Sequence, residues 1–261
     1  MHTKNYAIVT GSSMGIGLEL AKLLAKSGKN LLLTARSQKK LEEIKIELEN
    51  RYTIEVEIFP LDLSQKNAPK NLLDFTKEKG LTIDILINNA GFGLLGYFAE
   101  TDWKKEDEML QLNIISLTQL TKLFLPEMTQ NKNGKILNVA STAAFQPGPL
   151  QAVYYATKAY VLSFSEAIAS ELHGTGVTVT ALCPGPTKTK FVETAEFKDI
   201  SQFEAVFQTA EVVAKVGYNA MMKGKRVAIS GKLNNLLASS IKFVPRKTVT
   251  NIVRKQQKKF L

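Results

Sequence analysis

The chain has a single cysteine, Cys183, among 261 residues. It therefore forms no internal disulfide and suits a reducing compartment. No apolar run reaches the ~18 residues that a bilayer-crossing helix needs. The opening MHTKNYAIVT lacks the basic start and long apolar segment of a secretory signal. A cytoplasmic protein is expected. No zinc-ligand spacing, RNA-binding aromatic motif or helix-turn-helix signature is present, so neither a metal nor nucleic acid is an expected partner. Acid is scarce at one end: none follows Glu211, whereas twelve Lys and Arg do. Residues 1–211 carry 22 basic against 24 acidic side chains, so the net charge of +10 belongs to the C-terminal fifth. A basic tail, about 232–261, either stays solvated or makes weak peripheral contact with an anionic membrane.

What is present is an alternation. Short apolar runs rich in β-branched residues are YAIVT (6–10), NLLLT (30–34), IEVEIF (54–59), DILIN (84–88), KILNVA (135–140), VTVTAL (177–182) and RVAI (226–229). Helical patterns lie between them, near 15–27, 38–49, 65–79, 102–129, 152–172 and 201–222. In LEEIKIELE, Leu41, Ile44 and Leu48 share one face. Strands alternating with helices predict an α/β fold with a parallel sheet covered on both faces. Right-handed crossovers make it a doubly wound, Rossmann-type sheet of about seven strands. Without repeat, low-complexity segment or linker, residues 1–261 are expected to form one domain.

The first strand runs into GSSMGIG and then a helix. Gly11, Gly15 and Gly17 let backbone N–H groups approach phosphate oxygens, with the positive end of the helix dipole behind them. A glycine-rich turn can also bind nothing; its place after the first strand of an alternating chain favours a dinucleotide. The second strand ends in TARSQKK, with Ala35 and Arg36 where an NAD site usually keeps an acid for the ribose 2′-hydroxyl. A guanidinium suits a 2′-phosphate instead, which favours NADP(H) over NAD(H).

The stretch AVYYATKAY places an ionisable pair in an otherwise apolar helix. Residues four apart share a helix face, with Cβ atoms roughly 5–6 Å apart, so Tyr154 pairs with Lys158 and Tyr155 does not. An ordinary phenol, of pKa about 10, is only ~0.1% ionised at neutral pH. A lysine cation ~5 Å away, at an effective dielectric of about 20, favours the phenolate by roughly 3 kcal/mol. The pair would let Tyr154 act as a general acid or base near neutral pH. Ser141 lies just past a candidate strand, and the PGP at 147–149 loops the chain back to begin the helix. Ser141 could then bond a substrate carbonyl beside Tyr154, or simply serve in a turn. His173, before Gly174 at a helix end, is read as structural. Cys183, with no histidine near it in sequence, is read as a packing residue.

Together these residues resemble the short-chain dehydrogenase/reductase family. The matching motifs are TGSSMGIG (10–17), NNAG (88–91), Asn113 in LNIIS, Ser141, YYATK (154–158) and PGPTKT (184–189), within a match from about residue 5 to 230. The resemblance implies an oxidoreductase in which Tyr154 gives a proton to a carbonyl oxygen as hydride arrives. Lys158 would lower the tyrosine's pKa and bond the nicotinamide ribose, and Ser141 would polarise the carbonyl. Asn113 would hold, through its main chain, a water relaying protons to Lys158. It further implies that Gly11, Ser12, Ser13, Gly15, Ile16 and Gly17 cradle the cofactor with Arg36, Asp62 and Leu63 at its adenine end. Asn89, Ala90 and Gly91 would line it, and Pro184, Gly185, Thr187 and Thr189 would pass beside the nicotinamide. Asp62 could equally cap the following helix, and Asn88 and Asn89 could simply form a turn.

Substrate choice is expected after NNAG, in GFGLLGYF, and in a loop of about 186–210, where Phe191, Phe197, Phe203 and Phe207 put four of thirteen phenylalanines in 17 residues. Either an apolar lid or a helix burying its own face would gather them. As a lid, with Phe191 contacting substrate beside Ser141 and Tyr154, they predict a hydrophobic ketone or aldehyde. A resemblance to long-chain 3-oxoacyl and hydroxysteroid reductases implies the same. The helix at 152–172 is apolar nearly all round, and the family commonly pairs through it, so a homodimer or homotetramer is expected. The rival expectation is a non-catalytic NADP-sensing or scaffold protein on the same fold.

Overall fold

A computed structural model describes residues 4–189 and 207–261. Seven parallel strands form the sheet: β1 (Asn5–Thr10), β2 (Asn30–Ala35), β3 (Val56–Pro60), β4 (Thr82–Asn88), β5 (Gly134–Val139), β6 (Val177–Cys183) and β9 (Val227–Ile229). Their order across the sheet is β3-β2-β1-β4-β5-β6-β9. The first three strands step one way from β1 and the rest step the other way. The reversal between β1 and β4 opens a crevice at the carboxyl ends of the strands. The strands read as near-continuous apolar runs because helices bury both faces of the sheet. Ile8, Leu32 and Leu86 look to one face, and Ala7, Val9, Leu31 and Leu33 to the other.

Helices α1 (Gly15–Lys26) and α2 (Gln38–Arg51) cover one face, with α7 (Ala210–Met222). Helices α3 (Ala68–Glu78), α5 (Leu117–Gln130) and α6 (Ala152–Glu171) cover the other. The helical pattern at 102–129 is one run in three parts: α4 (Trp103–Leu110), a π-helical segment (Gln111–Ser116), then α5. The short strands β7 (Thr187–Lys188) and β8 (Gln208–Thr209) pair in parallel and clasp the two ends of the segment between them. Phe191, Phe197 and Phe203 lie in that segment, outside the described residues.

The approach to α6 is tightly determined. A Cβ on Gly148 would overlap the ring of Tyr155, so the PGP turn can lie against the helix only because that residue is glycine. Leu150 then takes a left-handed backbone, φ +69°, which costs a leucine roughly 1 kcal/mol or more. Its carbonyl accepts a 2.8 Å bond from Gly96 N–H, fixing the turn that aims Tyr154.

The basic C-terminal end is folded. It forms α8 (Lys232–Ser240) and α9 (Arg246–Gln257), which lie over the carboxyl edge of the sheet.

Candidate active site

The turn after β1 has the geometry that an anion would need. Gly11 and Gly15 have φ of +65° and +58°, a region that favours glycine. A Cβ on Gly17 would fall on the Gly11 carbonyl, so only glycine lets α1 begin that close to the turn. At its start α1 has no side-chain cap and no acid in its first turn, leaving its first N–H groups and positive dipole end to a ligand. Thr10 Oγ1 accepts from the N–H groups of Asn89 and Ala90 at 2.9 and 3.0 Å and donates to the Ile87 carbonyl. The Asn89 carboxamide donates in return to the Thr10 and Gly11 carbonyls. These bonds fasten β4 to the glycine turn across the crevice.

A cleft of about 1040 Å³ runs from this turn along the carboxyl edge of the sheet. Arg36, exposed at the end of β2, rims one part of it. Ser141, Tyr154 and Lys158 face it after β5, with β1 and β4 lying between. Ser141 hydrogen-bonds the Tyr154 phenol, and its Oγ accepts from Ala143 N–H at 3.1 Å. Lys158 donates to the Val139 carbonyl at 2.9 Å, and its Nζ lies 5.8 Å from the Tyr154 ring centre. Asn113, in the π-helical segment, ties this group together. Its amide donates to the Phe92 carbonyl and Thr157 Oγ1, and its Oδ1 accepts from Phe92 N–H. A Cβ on Gly91 would meet Asn113 Oδ1 at 2.8 Å and Lys158 Nζ at 3.5 Å, so a glycine there leaves the lysine accessible from the cleft.

Most residues expected from the sequence converge here: Gly11, Ser13, Gly15, Ile16, Arg36, Asp62, Leu63, Ala90, Gly91, Pro184, Gly185, Thr187 and Thr189 line the cleft. Ser12 and Gly17 do not line it: Ser12 is fully buried with its hydroxyl bonded to the Thr34 carbonyl, and Gly17 serves helix packing. The Asn113 side chain is a brace, and its expected part lay with its main chain. Asp62 caps no helix, since α3 begins at Ala68; it closes a turn by accepting from Ser64 N–H and Oγ. Asn88 is a core connector, bonded to Thr121 and Asn138. Phe191 is outside the described residues, but Phe207 lines the cleft.

Sequence reasoning missed the roof. From α8, α9 and the turn between them, Leu237, Ile241, Val249, Val253 and Gln257 close over Tyr154 and Tyr155. Gln257 Nε2 donates to Tyr155 Oη at 2.9 Å, latching the roof to α6. The four-residue spacing of Val249, Val253 and Gln257 was the available signal. The tail's basic side chains are exposed, and its other face is a wall of the site.

The expectation that Lys158 makes Tyr154 acidic is not what the protein's own groups produce. Burial has the largest influence and pushes the phenol above its ordinary range, with the Ser141 bond opposing. The same burial pushes the Lys158 amine down to about 8, the nearby Cys183 acting the other way. Folding therefore opposes the ammonium, by about 3 kcal/mol below pH 8. In the unfolded chain the amine stays protonated to its ordinary 10.5, so this penalty fades between pH 8 and 10.5. Lys158→Met should accordingly stabilise the free protein at pH 7 by on the order of 2 kcal/mol after loss of the Val139 bond. Urea unfolding across that pH window should show the gain vanish; a pH-independent difference would refute it.

Residues 5–199 match the family described as short chain dehydrogenase. The very-long-chain 3-oxoacyl-CoA reductase of Anas platyrhynchos is 30% identical over 97% of this chain and 80% of its own length. A short-chain dehydrogenase from Sphingobium yanoikuyae, solved with NADPH, superimposes with TM-score 0.81 at 26% identity over 93% of this chain and 97% of that one. A 7β-hydroxysteroid dehydrogenase superimposes with TM-score 0.86 at 23% identity, over 95% and 96% of the two chains, a likeness of fold. With the glycine turn, the sheet crevice and the Ser141–Tyr154–Lys158 cluster in place, the chain belongs to the short-chain dehydrogenase family of oxidoreductases.

Proposed function

We propose that the protein is an NADP(H)-dependent carbonyl reductase that converts an apolar ketone or aldehyde to its alcohol, reversibly. The observation that carries this reading is the meeting of Ser141, Tyr154 and Lys158 beneath an apolar roof, in a cleft that also reaches Arg36. The turn at 11–17 and the uncapped start of α1 would hold the pyrophosphate, and Arg36 the 2′-phosphate. An NADPH-bound relative and a relative named as a very-long-chain 3-oxoacyl-CoA reductase support the cofactor and substrate class.

A reduced nicotinamide held there would supply hydride to the carbonyl carbon. Ser141 donates a hydrogen bond to the carbonyl oxygen, and Tyr154 transfers its hydroxyl proton to that oxygen, leaving a phenolate. The raised affinity of Tyr154 for its proton keeps the acid loaded at neutral pH. Lys158, mostly protonated below pH 8, then faces the phenolate. At about the 5.8 Å separation, with an effective dielectric near 20, their attraction is worth ~3 kcal/mol.

Outward-facing Ile115 and Tyr160, 49% and 37% exposed, support pairing of two copies through α6 and the helical run before it. A monomer by light scattering at micromolar concentration would refute that pairing. Tyr154→Phe should lower kcat by roughly 10²–10⁴ with NADPH affinity kept; unchanged turnover would refute Tyr154 as the acid, and a wild type that binds NADPH but turns over no carbonyl would favour a sensing protein instead. Arg36→Asp should raise the KM for NADPH and lower that for NADH, and an unchanged NADPH KM would count against the 2′-phosphate assignment.

A further inference from the structure

Helix α8 has two apolar sides. Leu237 and Ala238, with Ile241 just after its end, look into the cleft. Leu233 and Leu236 do not line it and are 61% and 66% exposed, and Phe243, in the turn that follows, is 89% exposed. A roof helix serving only the cleft would carry a polar outer side, so this one is made to meet a second apolar surface.

Charge decides between the candidate occupants. From Lys232 to Lys259 the chain carries eight Lys and Arg and no acid, and all eight are exposed. Stacking two copies through this face would bring two such clusters together, and like charge opposes it. A bare apolar partner would leave this basic charge unused. Exposed leucines and a phenylalanine, on a segment whose only charged side chains are lysine and arginine, fit the boundary between anionic headgroups and acyl chains. We infer that the α8–α9 face docks the protein peripherally on an anionic lipid bilayer, placing the cleft roof at the membrane surface. No helix among the described residues is long and apolar enough to cross a membrane, so the contact is interfacial. An apolar substrate would then pass from lipid to cleft between the two sides of one helix. That last step rests on the reductase reading; the docking does not.

The full chain is sedimented with vesicles of phosphatidylcholine alone and of phosphatidylcholine mixed with phosphatidylserine. It should pellet with the mixed vesicles and be released at 1 M salt, where screening shortens to about 3 Å. The double variant Leu236→Asp with Phe243→Asp should bind at least about tenfold more weakly, and so should Lys242→Glu with Lys247→Glu. Both should keep wild-type melting and wild-type turnover of a water-soluble ketone, since none of the four residues lines the cleft. The inference is overturned if the wild type stays in the supernatant with both vesicles, or pellets equally with both. Conversion of a dimer to monomer by Leu236→Asp with Phe243→Asp, at unchanged vesicle binding, would overturn it in favour of self-association. Because sedimentation needs no turnover, its failure leaves the reductase reading standing, and an inactive wild type that still pellets would do the reverse.

Discussion

An ammonium and a phenol, one helical turn apart and both withdrawn from water, set the terms for everything around them. Lys158 keeps one carbonyl, that of Val139, in exchange for its hydration. Such a group persists only if the surrounding elements are held independently of it. They are held by polar side chains facing α6 from three directions. Asn113 bonds Thr157 from the π-helical segment, Asn138 bonds Ser165 from β5, and Gln257 bonds Tyr155 from the roof. The helix is therefore pinned at its start, middle and outer side, and the penalty on Lys158 cannot be relieved by rotating it into solvent.

The reversal of strand order supplies the space this arrangement needs and creates a weakness beside it. Where β1 and β4 are neighbours, their following segments diverge to opposite faces of the sheet. The mutual bonds of Thr10 with Asn89 and Ala90 close that seam. Gly11 and Gly17 lie against the same asparagine so closely that a Cβ on either would meet its amide. The glycines are thus as much a consequence of the seam as of any phosphate, and both demands fall on the same few residues.

How legible this was follows from where the information sits. Strands buried on both faces must be apolar along their whole length, so all seven sheet strands were visible as runs, with ends shifted by a residue or two. Tyr154 and Lys158 were visible because helical spacing is local. A motif of backbone contacts does not say where a side chain turns, and the Ser12 side chain turns to Thr34. The π-helical segment left no trace in the pattern, since its Asn113 bonds Phe92 and Thr157, both distant in sequence. The sign of the phenol's shift was lost for a related reason. Spacing gives the distance to a charge, but burial is a property of the whole fold, and here burial is the larger effect.

The roof escaped notice because its charge drew attention from its spacing, yet it joins the two halves of the chemistry. Val249 and Val253 pack in one cluster with Tyr154 and Tyr155. The surfaces that would grip an apolar substrate are therefore the surfaces that keep water from the phenol and the amine. A substrate too small to fill that space would admit water, relaxing both pKa shifts toward their ordinary values and screening the attraction between Lys158 and the phenolate. Selectivity for bulky apolar carbonyls would then arise without any contact that rejects small ones, because the electrostatics of proton transfer are complete only when the cleft is full.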